Sequence, residues 1–169
     1  MSRRRIIIVD DHPLFRAALR QTLAGGDPSI QVEEAGDLAG LNAALEADRD
    51  CDLVLLDLNM PGVRGFSGLL LLRAQYPDVP VAIISAVEDG SVIRRAFELG
   101  ASGYLHKSVG PPEIRRAIET VLSGEVFVPE GIDLASDDDH SALMRRLSTL
   151  TPQQVRVLMM LSDGLMNKQ

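Results

Sequence analysis

The chain has 169 residues, 46% hydrophobic and 24% charged, with 17 Lys+Arg against 24 Asp+Glu for a formal charge of −7. That size fits one ordinary domain with an appendage, or two very small domains, and the acidic balance argues against nucleic-acid binding by the chain as a whole. A single cysteine, Cys51, leaves no intramolecular disulfide, and no apolar run reaches the roughly 18 residues of a membrane span, so a reducing, cytoplasmic setting without a membrane partner is expected.

The basic start, Met1 to Arg5, leads into only Ile6 to Val9 before two aspartates, too short for a signal-peptide core. Arg5 to Val9 reads as a buried strand. Pro13 to Leu23 follows at helical spacing, with Leu14, Ala17, Ala18 and Leu19 as its apolar face, Pro13 at the first helical position and Asp11 or His12 as cap. Gly25-Gly26-Asp27-Pro28 is a turn, and Ile30 to Ala35 alternates as a strand with one solvated face. Leu38, Leu41, Ala44 and Leu45 mark a second amphipathic helix. Asp52 to Leu56 is a second buried run, closed by the turn-rich stretch Asn59 to Gly65.

Leu69 to Tyr76 predicts a third helix, with the leucine run Leu69 to Leu72 packed on a sheet, and Pro77 stops it. Val81 to Ile84 is a strand. Asp89 to Leu99 is a helix closed by Gly100 in the left-handed conformation. Gly103 to His106 and Pro112 to Leu122 complete five strands alternating with five helices, the pattern of a doubly wound α/β sandwich with a mainly parallel sheet. From Ser123 the period is lost, and Gly124, Pro129, Gly131 and Asp137 to Asp139 read as a linker. A last helix is expected with Thr151 as N-cap and Pro152 at its first position. Val155, Leu158, Met159 and Ser162 form one face, Gly164 is its end, and a further helix begins near Asn167.

In an open parallel sheet the ligand crevice lies beyond the carboxyl ends of the strands. Asp10, Asp11, Asp57, Ser85 and Lys107 all fall there, which gathers three carboxylates, a hydroxyl and an ammonium. Converging carboxylates repel unless a cation neutralises them, and an oxygen-rich site with few protein ligands suits Mg²⁺. Asp57 then becomes a candidate nucleophile toward phosphorus, giving an aspartyl phosphate, with Ser85 and Lys107 on the phosphoryl oxygens. Each residue alone is ordinary at a strand end; their joint placement on four strands carries the argument. His12, His106 and His140 lack metal-ligand spacing, and His12 reads as a helix-entry residue.

Four stretches carry a family resemblance: Ile8-Val9-Asp10-Asp11-His12-Pro13-Leu14-Phe15-Arg16, Leu56-Asp57-Leu58-Asn59-Met60-Pro61-Gly62, Ile84-Ser85-Ala86, and Gly100-Ala101-Ser102-Gly103-Tyr104-Leu105-His106-Lys107-Ser108. Over about residues 4 to 122 the chain resembles a two-component response regulator receiver domain of the NarL/FixJ-like group, which carries a LuxR-type helix-turn-helix output. The resemblance implies a flavodoxin-like (βα)5 fold with strand order 2-1-3-4-5. It implies Asp57 as phospho-acceptor from a sensor histidine kinase. Asp10 and Asp11, with Asp57 and the backbone carbonyl of Asn59, would hold Mg²⁺, and Lys107 would pair with the phosphate. Ser85 and Tyr104 are the implied switch pair, and small Ala86 leaves room for phosphoryl access.

The implied domains are a receiver over residues 1–122, a linker over 123–147, and the start of the helix-turn-helix over 148–169. Leu150 to Leu158 and Gly164 to Gln169 resemble the latter, with Gln154 where the family has glutamate. The recognition helix is missing from this stretch, and Arg156 and Lys168 against Asp163 provide little for phosphate, so DNA binding is expected only through a complete output domain. Homodimerisation through a charged face bearing Arg94, Arg95, Arg115 and Arg116 is a further expectation. The alternative class, a haloacid-dehalogenase-like phosphatase or phosphotransferase, wants an aspartate where Asn59 stands. A nucleotide-binding Rossmann-like fold wants a glycine-rich turn where Asp10-Asp11-His12-Pro13 stands.

Overall fold

Short apolar runs without helical period form the strands β1 (Arg4–Val9), β3 (Leu53–Asp57), β4 (Val81–Ser85) and β5 (Gly103–His106), and the mixed polar and apolar stretch Ile30–Ala35 forms β2. The structure, a computed structural model, describes residues 3–61, 63, 65–134 and 151–167. The strands pair in parallel in the order β2-β1-β3-β4-β5, the order the resemblance implies. Between them run α1 (Pro13–Gly26), α2 (Leu38–Ala47), α3 (Ser67–Gln75), α4 (Gly90–Glu98) and α5 (Pro111–Leu122), and α6 (Pro152–Asn167) follows.

Strand side chains alternate between faces, which splits the core in two. Ile6, Ile8, Leu53, Leu55 and Leu105 meet Leu19 and Leu23 of α1 and Ile114, Ile118 and Val121 of α5. Ile7, Val9, Val54, Leu56 and Ile83 meet Leu41 and Leu45 of α2, Leu69 and Leu72 of α3, and Ile93 and Ala96 of α4. The central strands are covered on both sides, which accounts for their unbroken apolar runs. Cys51 is buried at the edge of this core, and burial pushes its thiol up to about 11.

Several expected boundaries and faces shift. The α1 helix continues through Gly25 and Gly26, so the turn falls on residues 27–29. Its buried face is Phe15, Leu19 and Leu23, while Leu14 is 88% exposed and Ala17 and Ala18 face solvent. Gly100, with φ of 103°, closes α4 as expected. Gly164 does not end α6, which runs on to Asn167; an interior glycine costs a helix only about 1 kcal/mol against alanine. Asn167, expected near the start of a further helix, belongs to α6, and residues 168–169 lie outside the described residues. At its other end Thr151 Oγ1 accepts from the Gln154 N–H (3.2 Å) and Gln154 Oε1 from the Thr151 N–H (2.9 Å), a reciprocal capping box that a glutamine serves as well as a glutamate. Val155 is buried on the α6 face expected of it, and α6 lies against α3. Asp137 to Asp139 and His140 lie outside the described residues.

The first part of the expected linker pairs with the sheet. After α5 the chain turns at Gly124 (φ 93°) and runs along the open edge of β5. There Phe127 N–H donates to Ser102 O (2.9 Å) and Phe127 O accepts from Tyr104 N–H (3.3 Å). A strand edge offers unpaired backbone groups, and this strap satisfies two of them.

Candidate functional site

The C-terminal ends of β1, β3 and β5 converge on one acidic pocket. Asp10 follows β1 and Asp57 ends β3; both are completely buried, and Asp11 is partly buried beside them. Lys107 follows β5 and extends its ammonium between the two buried acids, 2.9 Å from Asp10 Oδ2 and 3.1 Å from Asp57 Oδ2. Its ammonium also lies over the ring of Phe15 of α1, 4.8 Å from the centroid. Asp57 Oδ1 accepts from the Asn59 N–H (3.0 Å). Asn59 itself is exposed, and its structural tie to Asp57 runs through the backbone.

Burial works against the charge of both deep acids, with different outcomes. At Asp10 the Lys107 ammonium and the backbone and ring donors of His12 overcome burial and hold the carboxyl below its ordinary value. At Asp57 burial prevails, reinforced by the neighbouring Asp10 charge, and the carboxyl is raised despite Asn59 and Lys107. Burial also lowers Lys107, but its two acids outweigh this and raise it. Ionised, three carboxylates against one ammonium leave two negative charges, the amount a divalent cation neutralises. Asp11 Oδ1 is moreover buried without a well-formed hydrogen bond, and Asp10 Oδ2 has only its ion pair with Lys107. The donor set therefore fits a hard divalent ion.

His12 was not expected here. Its ring Nδ1 lies 2.8 Å from Asp10 Oδ1, 3.0 Å from Asp11 Oδ1 and 3.9 Å from Asp57 Oδ2, and its backbone N–H donates to Asp10 Oδ1 (2.8 Å). Asp10, Asp11, His12 and Asp57 each offer one ligand atom within 4.8 Å of the others. The reading of His12 as a helix-entry residue is right about position, since it stands at the N-cap of α1, but its side chain makes no capping bond and turns to the acids instead. Adjacency to Asp10-Asp11 in one tight turn was the available signal. Arg16 is also tied in, donating to the Asp10 carbonyl and to Glu34.

Ser85 and Tyr104 form an adjoining group. Ser85 is completely buried, and its Oγ accepts from the Val87 N–H (3.1 Å). Tyr104 is turned inward, with its hydroxyl donating to Val87 O (2.7 Å); burial raises the phenol, opposed by a side-chain hydrogen bond with Ser85. Ala86 is exposed beside them and its carbonyl accepts from His106 Nε2 (2.9 Å). Of the surface arginines, Arg115 donates to Thr22 O (3.3 Å) and Arg116 lies over the Phe127 ring at 5.8 Å, so both serve contacts within the chain.

The response regulator receiver domain family profile matches residues 6–119. The glycerol metabolism activator of Pseudomonas putida is 38% identical over 98% of this chain and 78% of its own length. The nitrate/nitrite response regulator protein NarP of Escherichia coli (strain K12) is 36% identical over 98% of this chain and 77% of its own. Among solved structures, a LuxR family DNA-binding response regulator from Silicibacter pomeroyi superposes with a TM-score of 0.67 at 37% identity, covering 75% of this chain and 98% of that one. The signal receiver domain of the putative response regulator NarL from Mycobacterium tuberculosis gives 0.65 at 31% identity, covering 74% and 100%. These relatives are regulators, and they lend no support to the small-molecule phosphatase alternative. Among the described residues no helix is long and apolar enough to cross a membrane.

Proposed function

The chain belongs to the response regulator receiver domain family, and from that premise we propose that Asp57 accepts a phosphoryl group from a phosphohistidine of a sensor kinase, with Mg²⁺ in the acidic pocket. The observation that carries this reading is the single ammonium of Lys107 bridging two buried carboxylates that end different strands. A network built only for stability has little reason to leave three acids against one base.

Asp10 and Asp11, with Asp57 and the Asn59 carbonyl, are the residues to hold the ion. When bound, it offsets the charge on the phosphoryl oxygens. An Asp57 carboxylate oxygen bonds to phosphorus as the P–N bond of the donor breaks, the electron pair leaving on the imidazole. The Asn59 N–H fixes Oδ1, which leaves Oδ2 and its Lys107 partner facing the incoming group. Lys107 then follows the phosphate, and Ser85 turns its hydroxyl from the Val87 N–H toward a phosphoryl oxygen. That exchange reaches Tyr104, because both side chains are held by Val87. The altered surface of α4, β5 and α5 changes docking onto a second copy or an output domain. Residues 148–169 are read as the beginning of that output, and specific DNA binding belongs to its complete form.

Acetyl phosphate with Mg²⁺ should add one phosphoryl group per chain by intact mass, and chelation should prevent it. Retention of the label at the same site in Asp57→Asn would refute the assignment. Continuous phosphate release from several small substrates would instead favour an enzyme.

A further inference from the structure

The pocket contains one group that a purely oxygen-ligated magnesium site does not need, the imidazole of His12. Its Nδ1 lies 2.8 Å and 3.0 Å from the Oδ1 atoms of Asp10 and Asp11. Adjacent ligands of an octahedral ion with bonds of about 2.1 Å are roughly 3 Å apart, so each of these two contacts has the length of one edge of such a shell. The Asp57 Oδ2 atom at 3.9 Å from Nδ1 completes a four-donor set.

The Asp10 carboxylate only accepts, so Nδ1 is read as the protonated ring nitrogen facing Asp10 Oδ1. In that tautomer the approach of Lys107 Nζ to 3.3 Å is a contact between two donors, not a hydrogen bond. A divalent ion bound in this pocket would meet a ring nitrogen already facing the two carboxylates. The ring is 60% exposed, so solvent and ions reach it without opening the core.

We propose that His12 is a further ligand of this pocket's divalent ion, binding through Nδ1, and that it biases the site toward transition ions such as Mn²⁺ over Mg²⁺. Magnesium gains little from a nitrogen donor, whereas imidazole suits first-row transition ions. The proposal rests on the metal pocket of the preceding section and adds its selectivity. It assigns His12 a role that neither aspartate can fill, since oxygen ligands alone discriminate weakly between these ions.

Pulsed electron spin-echo spectroscopy of the Mn²⁺-loaded protein should show ¹⁴N coupling from a directly bound imidazole, and His12→Ala should abolish it. The same variant should weaken Mn²⁺ binding roughly ten-fold by calorimetry, the order lost when a metal-site partner is removed, while Mg²⁺ affinity changes less than about three-fold. Unchanged melting of the metal-free variant confirms that the exposed ring is not needed for folding. Mn²⁺ binding without nitrogen coupling, or an equal loss for both ions, overturns the His12 assignment alone. Binding of either ion that is indifferent to Asp57→Asn and Asp10→Asn overturns the pocket itself, and this proposal with it.

Discussion

Lys107 Nζ lies 3.1 Å from Asp57 Oδ2, so the residue that follows β5 supplies the counter-charge for the carboxylate that ends β3, across the intervening strand β4. The same ammonium reaches Asp10 at 2.9 Å. Lys107→Met therefore leaves two buried acids facing each other. Removing one partner of a buried pair costs 3–5 kcal/mol; with the lysine side chain 18% exposed, about 2–3 kcal/mol is expected here. Because the lysine is raised, its contribution is fully present below the ordinary lysine value and is lost only as pH rises through the folded one, so the whole effect is visible at pH 7. Urea unfolding should show the loss, and Mg²⁺ should restore part of it. A variant as stable as the parent would mean the ammonium is not the counter-charge.

Asp57→Asn should stabilise the metal-free protein at neutral pH by about 1–2 kcal/mol, the opposite of the usual result for a buried polar residue. Burial and the Asp10 charge raise this carboxyl. A raised acid binds its proton more tightly folded than unfolded, so its ionisation costs stability as pH rises through the folded value and costs nothing below the unfolded one. The gain should accordingly be full near pH 7 and vanish as the solution is acidified past the ordinary aspartate range. Paired unfolding curves across that range measure it. A gain that grew on acidification would mean the carboxyl is lowered in the fold.

The site was legible where chemistry coincided with strand ends. Asp10, Asp57, Ser85 and Lys107 each follow or end an apolar run, and topology alone brings such positions together. Legibility failed where two stripes overlap. The helix α1 carries both Leu14-Ala17-Ala18 and Phe15-Leu19-Leu23 at helical spacing, and its packing against β1, β2 and α5 selects the second and leaves Leu14 exposed. His12 was hidden for a different reason: an exposed residue before a proline reads as a cap, and its turn toward Asp10 accompanies the bond from its backbone N–H to the Asp10 carboxylate two residues back. The strap at Phe127 has no period at all, because its pairing depends on the open edge of β5 rather than on its own sequence.

Tyr104→Phe removes the hydroxyl that donates to Val87 O at 2.7 Å while keeping the ring in the core. One hydrogen bond of this kind contributes about 1 kcal/mol. The larger consequence is local, since Val87 is held from both ends by Tyr104 and Ser85. Amide exchange at Val87 and Glu88 should quicken more than exchange in β1. Stoichiometric labelling of Asp57 should persist, because the phenol does not touch the acidic pocket. Loss of labelling would show that the ring's position, and not only the Asp57 environment, governs acceptance.

Phe127→Ala tests whether the strap belongs to β5 or merely lies beside it. The Tyr104 N–H has its partner in the Phe127 carbonyl rather than in β4, and the Phe127 N–H returns to Ser102 O. Gly103 permits this approach: a Cβ there would stand 3.2 Å from Val121 Cγ2 and 3.5 Å from Phe127 Cβ. The phenyl ring supplies the packing that keeps the single bridge in register, half-buried against the α1–α5 side of the core and under the Arg116 guanidinium. Truncating it should cost about 2 kcal/mol, below the 3–5 typical of a fully buried phenylalanine. The discriminating measurement is hydrogen exchange residue by residue. The Tyr104 amide should lose protection by more than about ten-fold beyond the global change, which at 1.4 kcal/mol per decade matches release of that one bond, while Ile6 to Ile8 follow only the global loss. Equal loss at Tyr104 and in β1 would mean that the strap stabilises the sheet as a whole and has no private hold on the strand that carries Tyr104 and leads into Lys107.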